Sequence, residues 1–588
     1  MLSQPALFEA RTVDAPLLGG ACPALNGKTR GAVFTKPSVV EFILDLVGYV
    51  PDKPLWQASL LEPSFGAGGF LFEAVARLLN SWRQSDAAGD DSALDDAVRA
   101  VELDLATFHD TKAELVKMLV GAGLSELSAL RLSKKWLINA DFLDHPFSES
   151  FGYVVGNPPY VRQELIPDAL LERYRQAYTT MVGRADLYVP FFERGLSLLA
   201  PEGKLSFICA DAWTKNGYGR VLRELVTDRF TLRTYVDMYG ADAFENQVGA
   251  YPSITVIENA GRGQTRTGAA TGTEPAYLKS LARELSASSG TDMTLKRGGA
   301  PWLLHANDKQ AVIRDLEHRF GTLEQAGCRV GIGVATGADR VFIARLSELD
   351  VEESRKLPLA MSRDISRGAF NWTGMGVVNP WQDDVGLVDL GQYPKLAGYL
   401  APHRAALSRR HTAKANPSGR WYKTIDRITP SLTWQPKLLV PDIRGDGDAI
   451  SYDPGTAYPH HNLYYIVSHE WDLRALQALL RSGVAQLFIN AYAVKTGGGY
   501  LRFQAQYLRR IRLPSWASLP QDTQRELSES GKTGTKVTPC VVERAYGVKP
   551  GSMAFLNERL LSQQIRHSLP QASLGESIFA GSLGRLRP

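Results

Sequence analysis

Residues 151–160 read FGYVVGNPPY, an apolar run that turns at once into an amide, two prolines and an aromatic ring. A chain reversal needs a Gly, or one Pro with Asn or Asp. It needs neither a second proline nor a ring at its tip. One chemistry uses all four residues. The exocyclic amine of a heteroaromatic base is a poor nucleophile, because its lone pair is delocalised into the ring. Two acceptors aimed at its hydrogens draw the nitrogen towards sp³ and expose the lone pair to an electrophilic methyl group. The side-chain oxygen of Asn157 and the main-chain carbonyl of Pro158 are two such acceptors. Pro158 and Pro159 restrict the backbone and fix where that carbonyl points. Tyr160 offers a flat face on which a base can stack, worth roughly 1–3 kcal/mol. Catalysis of this kind rests on positioning and electrostatics and needs no base of unusual pKa.

The elements that must position these residues follow from the pattern around them. TKPSVVEFILDLVGYV (35–50) reads as an amphipathic helix with Pro37 near its start. A short strand at 59–61 runs into EPSFGAGGF, where Gly66, Gly68 and Gly69 let a backbone approach a ligand and point helix N–H groups at it. The spacing is not the GxGxxG dinucleotide pattern and there is no P-loop lysine, so pyrophosphate is not the first choice. AVRAVELDL is a second strand, and Glu102 at its end can bind ribose hydroxyls or cap a helix. WLINADFLD is a third, ending in Asp141 and Phe142. There the acid can accept from an adenine amino group or cap a helix, and the ring can pack on the base. FGYVVGNPPY is the fourth. DLYVPFFERGLSLLAPEGKLSFICADAW reads as a helix, a Pro–Gly turn and a fifth strand, and RTYVDMYG and YPSITVIEN add two more. Alternating strands and helices predict an α/β, doubly wound parallel sheet with ligands at the strand C-terminal ends.

At 588 residues the chain is too long for one core. The expected division is an irregular extension (1–30), a first domain (31–258), a Gly/Ser/Thr-rich and partly flexible linker (259–300), a second domain (301–515) and a helical tail (516–588). The net charge of +4 does not itself argue for a polyanionic partner, though a modest total can hide a basic face. The four cysteines lie far apart and no pair has zinc-ligand spacing. His460 and His461 are adjacent with no second ligand cluster near them in sequence, so no metal is expected. The N-terminus lacks an apolar signal core and no run of about 18 apolar residues occurs, which points to the cytoplasm.

The ordered set TKP, EPSFGAGGF, VELD, NADF and NPPY resembles the gamma class of N6-adenine DNA methyltransferases of type II restriction–modification systems. The likeness runs from about residue 30 to 515. VGIGVATGADRVFI (330–343), PLAMSRDI (358–365), residues 437–467 and residues 495–514 look like that family's target-recognition domain. The resemblance implies a Rossmann-like S-adenosylmethionine-dependent methyltransferase domain followed by a mixed α+β target-recognition domain. It implies S-adenosylmethionine as cofactor, held by Thr35, Pro37, Glu62, Pro63, Gly66, Gly68, Glu102, Leu103, Asp141 and Phe142. Asn157, Pro158, Pro159 and Tyr160 match the catalytic tetrapeptide. Phe244 looks like a second aromatic that sandwiches an extruded base with Tyr160. Asp186 matches a structural motif near the cofactor, and helix capping is its expected use.

The implied partner is double-stranded DNA, whose target base must leave the stack. Candidate phosphate contacts are Arg409, Arg410, Arg420, Lys423, Arg502 and Arg509, in a second domain that also holds His411, Lys414, Trp421, Tyr422, Arg510 and Arg512. A monomer suffices if one strand is methylated at a time. A cognate nuclease is expected as a separate chain, because about 30 residues before the first motif leave no room for one. NPPY also occurs in methyltransferases of RNA and of protein glutamine, which is the alternative reading; a DNA-binding module with a degenerate core is a third.

Overall fold

The computed structural model describes residues 33–246, 252–287, 292–304, 308–410, 413, 420–442, 449–492 and 504–557. The expected extension at 1–30, with Arg502, His411 and Lys414, lies outside them. Among the described residues no helix is long and apolar enough to cross a membrane. The chain divides into two compact units, 1–300 and 301–588.

The first unit begins with α1 (Pro37–Val47). Pro37 occupies the first turn, where its missing N–H costs nothing, and Gly48 closes the helix with φ +75°. Then come β1 (Leu60–Glu62), α2 (Gly69–Arg83), β2 (Val98–Glu102), α3 (Leu105–Gly121), α4 (Glu126–Trp136), β3 (Leu137–Asn139) and β4 (Phe151–Gly156). α5 (Asp168–Ala177), α6 (Tyr188–Ser197), β5 (Leu199–Ala210), α7 (Arg220–Arg229), β6 (Thr231–Asp237) and β7 (Pro252–Glu258) follow. The sheet order is β3-β2-β1-β4-β5-β7-β6, parallel from β3 through β5, with β7 antiparallel between β5 and β6. β1 is buried throughout, and β7 over six consecutive residues, as expected of strands covered on both faces. The strand order reverses between β1 and β4, so the ends of these neighbours, Glu62 and Gly156, open on the crevice where such sheets bind ligands.

Residues 259–300 do not behave as the expected linker. β8 (Thr265–Ala269) extends the sheet parallel to β6, and β9 (Asp292–Met293) pairs with β8. Between them α8 (Pro275–Ser286) packs on α1, burying Leu278, Ala282 and Leu285. The Gly, Ser and Thr content of this stretch masked a helical i, i+4, i+7 apolar stripe.

The second unit is mixed α+β. One antiparallel sheet has the order Cys328–Ile332, Leu463–Ser468, Lys437–Pro441, Ser451–Asp453. Another has the order Ile343–Arg345, Met375–Val378, Lys356–Ala360, Tyr458–Pro459, its last pair parallel. The described part of the expected tail belongs to this unit's core. Helices Gln521–Thr533 and Pro539–Tyr546 bury Leu527, Val541 and Val542 in the same cluster as Ile466 and Leu476.

The first of these sheets carries a fully buried ion pair. Lys437 Nζ lies 2.8 Å from Asp453 Oδ2, with neither side chain exposed. The ammonium also donates to the carbonyls of Leu432, Thr433 and Gln435. Burial pulls the lysine pKa down and Asp453 opposes that shift. Asp453→Asn leaves a buried cation without its counter-charge, at an expected cost of about 3–5 kcal/mol. Urea unfolding of the full chain measures this. A loss below about 1 kcal/mol, the scale of an exposed pair, contradicts it.

Candidate active site

The tetrapeptide after β4 is held from three sides. The Asn157 side-chain nitrogen donates to Val33 O at 2.8 Å and to Thr35 Oγ1 at 3.2 Å. Its side-chain oxygen is buried and has no hydrogen-bond partner among the described residues. The Ser64 hydroxyl, just past β1, donates to the Asn157 main-chain carbonyl at 3.2 Å. The Tyr160 hydroxyl donates to Ile208 O near the end of β5, and burial pushes its pKa well up, so it stays a donor.

Phe244 reaches the same place. Thr35 and Phe244 form an isolated antiparallel bridge, Lys36 N–H donates to Ala243 O, and Glu245 N–H donates to Phe34 O. The Phe244 ring meets Tyr160 edge-on, centroids 6.1 Å apart and planes at 82°. The two rings therefore do not form the parallel pair of faces expected to sandwich a base. Phe244 is buried and packs at right angles to the Tyr160 ring.

The glycine-rich loop is shaped by backbone only Gly adopts readily. Gly66 has φ +53° and Gly68 φ +85°, and a Cβ on Gly68 would sit 2.5 Å from the Phe72 ring. Glu102 latches this loop to β2: its carboxylate accepts from Gly66 N–H at 2.9 Å and from Asp104 N–H at 2.7 Å. Capping of α3 falls to Asp104, which accepts from Thr107 N–H. Leu103 beside it is 49% exposed, an apolar face open to a planar ligand. Pro63 follows Glu62, which is 1% exposed; burial and the nearby Glu102 push its carboxyl pKa well up.

One expectation for the end of β3 changes. Phe142 is 2% exposed, with its ring against Phe191 at 5.0 Å and near Phe147, so it is a core residue with no face left for adenine. Asp141 is half-buried and accepts from Leu143 N–H and from the Tyr174 hydroxyl of α5. Nothing in the sequence marks Tyr174, which lies on a helix beyond the tetrapeptide. Asp186 does not cap α6 with its side chain. Burial pushes its pKa up to about 6, against the pull of Arg162.

The basic candidates also sort. Arg409 and Arg420 are exposed and Lys423 is half-buried. Arg410 is a structural pin: it donates to the carbonyls of Leu407, Thr336, Trp421 and Lys423. Arg509 pairs with Glu324 at 2.8 Å and donates to Val330 O. Arg410 thus has its donors committed to the fold, whereas Arg509 is about half exposed. Of the others, Arg510 lies over the Tyr492 ring and Arg512 faces Glu317.

Comparison with known proteins agrees with this layout. Residues 95–244 match the family described as Eco57I restriction-modification methylase. Type II methyltransferase M.PaeR7I of Pseudomonas aeruginosa is 48% identical over 92% of this chain and 97% of its own length. M.XhoI of Xanthomonas vasicola is 48% identical over 86% and 95%, and M.BstVI of Geobacillus stearothermophilus 41% over 85% and 93%. The chain belongs to the type II restriction–modification methyltransferases, which methylate DNA. The type IIL restriction–modification enzyme MmeI, solved in complex with DNA, shares the fold with a TM-score of 0.54 at 12% identity, covering 90% of this chain and 77% of that one.

Glu62 makes a pH-dependent contribution whose sign is fixed. Its folded-state pKa is raised above the ordinary 4.5. Its favourable share of stability is therefore complete below 4.5 and is lost as pH climbs towards the raised value. Glu62→Gln is expected to raise the melting temperature of the ligand-free protein at pH 8 by about 2–4 °C and to leave it unchanged near pH 4. Calorimetry at both pH values reads this; a Glu62→Gln effect no more favourable at pH 8 than at pH 4 contradicts a raised pKa.

Proposed function

We propose that this chain transfers a methyl group from S-adenosylmethionine to N6 of an adenine turned out of duplex DNA. The observation that carries the reading is the Asn157 amide. Its nitrogen is committed to Val33 O and Thr35 Oγ1, and its oxygen is buried without a partner among the described residues.

The cradle fits the cofactor. Gly66 and Gly68 let the loop backbone come close to a ligand, Glu102 keeps spare acceptor capacity for ribose hydroxyls, and Leu103 is exposed for a purine face. In this reading Thr35 and Pro37 hold the methionine end of the cofactor, Glu62 and Pro63 flank it, and Asp141 uses its remaining acceptor capacity for the adenine amine. When bound, the cofactor supplies an electrophilic methyl group. Asn157 Oδ1 and the Pro158 carbonyl accept from the two amine hydrogens and leave the nitrogen lone pair exposed. Pro159 holds that carbonyl in place, and the displaced proton leaves to water. Tyr160 offers one stacking face, oriented by its bond to Ile208 O and by Phe244 packed at right angles to it. The second unit holds the duplex, with Arg409, Arg420 and Lys423 on phosphates. The chain acts as a monomer and protects host DNA from a separate cognate nuclease.

Asn157→Ala is expected to slow single-turnover methyl transfer by at least about 10²–10³-fold, the cost of one transition-state contact. Because Asn157 also anchors Thr35, cofactor affinity falls by less than about tenfold, or 1.4 kcal/mol. Rapid-quench kinetics and titration calorimetry separate the two effects. A variant that loses cofactor binding while retaining the transfer step contradicts the assignment.

A further inference from the structure

The histidine pair that stands alone in the sequence has company in the fold. His460 and His461 follow the short strand Tyr458–Pro459. Their backbone is gripped from both sides: His460 N–H donates to Ala360 O and His461 N–H to Val334 O, each at 3.0 Å. The turn after Cys328–Ile332 passes alongside and carries Asp339. One donor atom from each of Asp339, His460 and His461 lies within 4.8 Å of the other two.

The donors are prepared individually. His460 is 4% exposed and its Nδ1 lies 2.8 Å from Asn462 Oδ1. Nδ1 therefore carries the ring proton, which leaves the lone pair on Nε2. Nε2 is buried and has no hydrogen-bond partner among the described residues. Asp339 Oδ2 is 3.6 Å from it, too far for a hydrogen bond. That separation is close to the spacing of two donors on one tetrahedral ion, where bonds of 2.0–2.1 Å set ligand atoms about 3.3 Å apart. Asp339 Oδ1 is already taken by the Thr336 hydroxyl at 2.5 Å, which turns Oδ2 towards the histidines. His461 is exposed, which leaves room for water to complete the coordination.

We propose that Asp339, His460 and His461 bind one divalent transition-metal ion, with Thr336 and Asn462 orienting the ligands. Two imidazoles and one carboxylate suit zinc, cobalt or nickel and disfavour magnesium or calcium, which prefer all-oxygen shells. The ion cross-links the turn at 333–339 to the segment 458–462 and so fixes two loops of the second unit. It takes no part in methyl transfer, and the proposal does not depend on which base is methylated.

Untagged full-length protein, stripped with chelator, is titrated with Co²⁺ and read by visible absorption and calorimetry, with Zn²⁺ as competitor. One equivalent is expected, displaced by zinc. Asp339→Asn and His461→Ala replace exposed residues, and circular dichroism checks their folding. Each is expected to weaken binding by more than about 100-fold, and Asn462→Ala by about 10–100-fold, the usual cost of a lost orienting partner. Absence of one-equivalent binding, or binding that survives both ligand substitutions, overturns the proposal.

Discussion

The site depends on how one amide is divided. Val33 offers a carbonyl oxygen and Thr35 a hydroxyl to the same end of the Asn157 side chain. Only the amide nitrogen satisfies the carbonyl, so the oxygen must face the other way. Burying that oxygen without a bond costs on the order of 1–3 kcal/mol, a penalty that a ligand N–H removes. The same two contacts hold residues 33–35 in place, and these in turn pair with residues 243–245. One residue thus ties the unpartnered acceptor, residues 33–35 and the segment that carries Phe244 together.

Topology makes this possible. β1 and β4 are neighbours at the reversal of strand order, so the glycine-rich loop and the tetrapeptide emerge side by side although about ninety residues of sequence separate them. Glu102, at the end of the next strand, accepts from the Gly66 N–H of the loop and from the Asp104 N–H after β2, and so holds the loop against β2. Preorganisation of this kind suits a reaction that needs placement more than proton shuttling.

Much of the first unit was legible because strand ends carry distinctive residues: a Gly-rich turn, an acid, an acid, then NPPY. The helix with Pro37 and the strands ending at Glu62, Glu102, Asn139 and Gly156 all form. Several misreadings share a cause. Phe142 and α8 were settled by packing, which composition and motif matching do not show. Arg410 and Arg509 bind carbonyls brought near by distant segments, and in sequence such an arginine looks the same as one that holds a phosphate. The cluster of Asp339 with His460 and His461 was hidden for the same reason, since its members come from separate stretches of the chain.

The most direct measurement incubates the purified protein with S-adenosylmethionine and unmethylated duplex DNA, digests the DNA to nucleosides and identifies the methylated product by mass spectrometry. N6-methyladenine is the expected product, and substitution of Asn157 should abolish it. N4-methylcytosine contradicts the assignment of the base while keeping the amine chemistry. No methylated nucleoside from protein that binds the cofactor contradicts the proposed reaction on DNA itself.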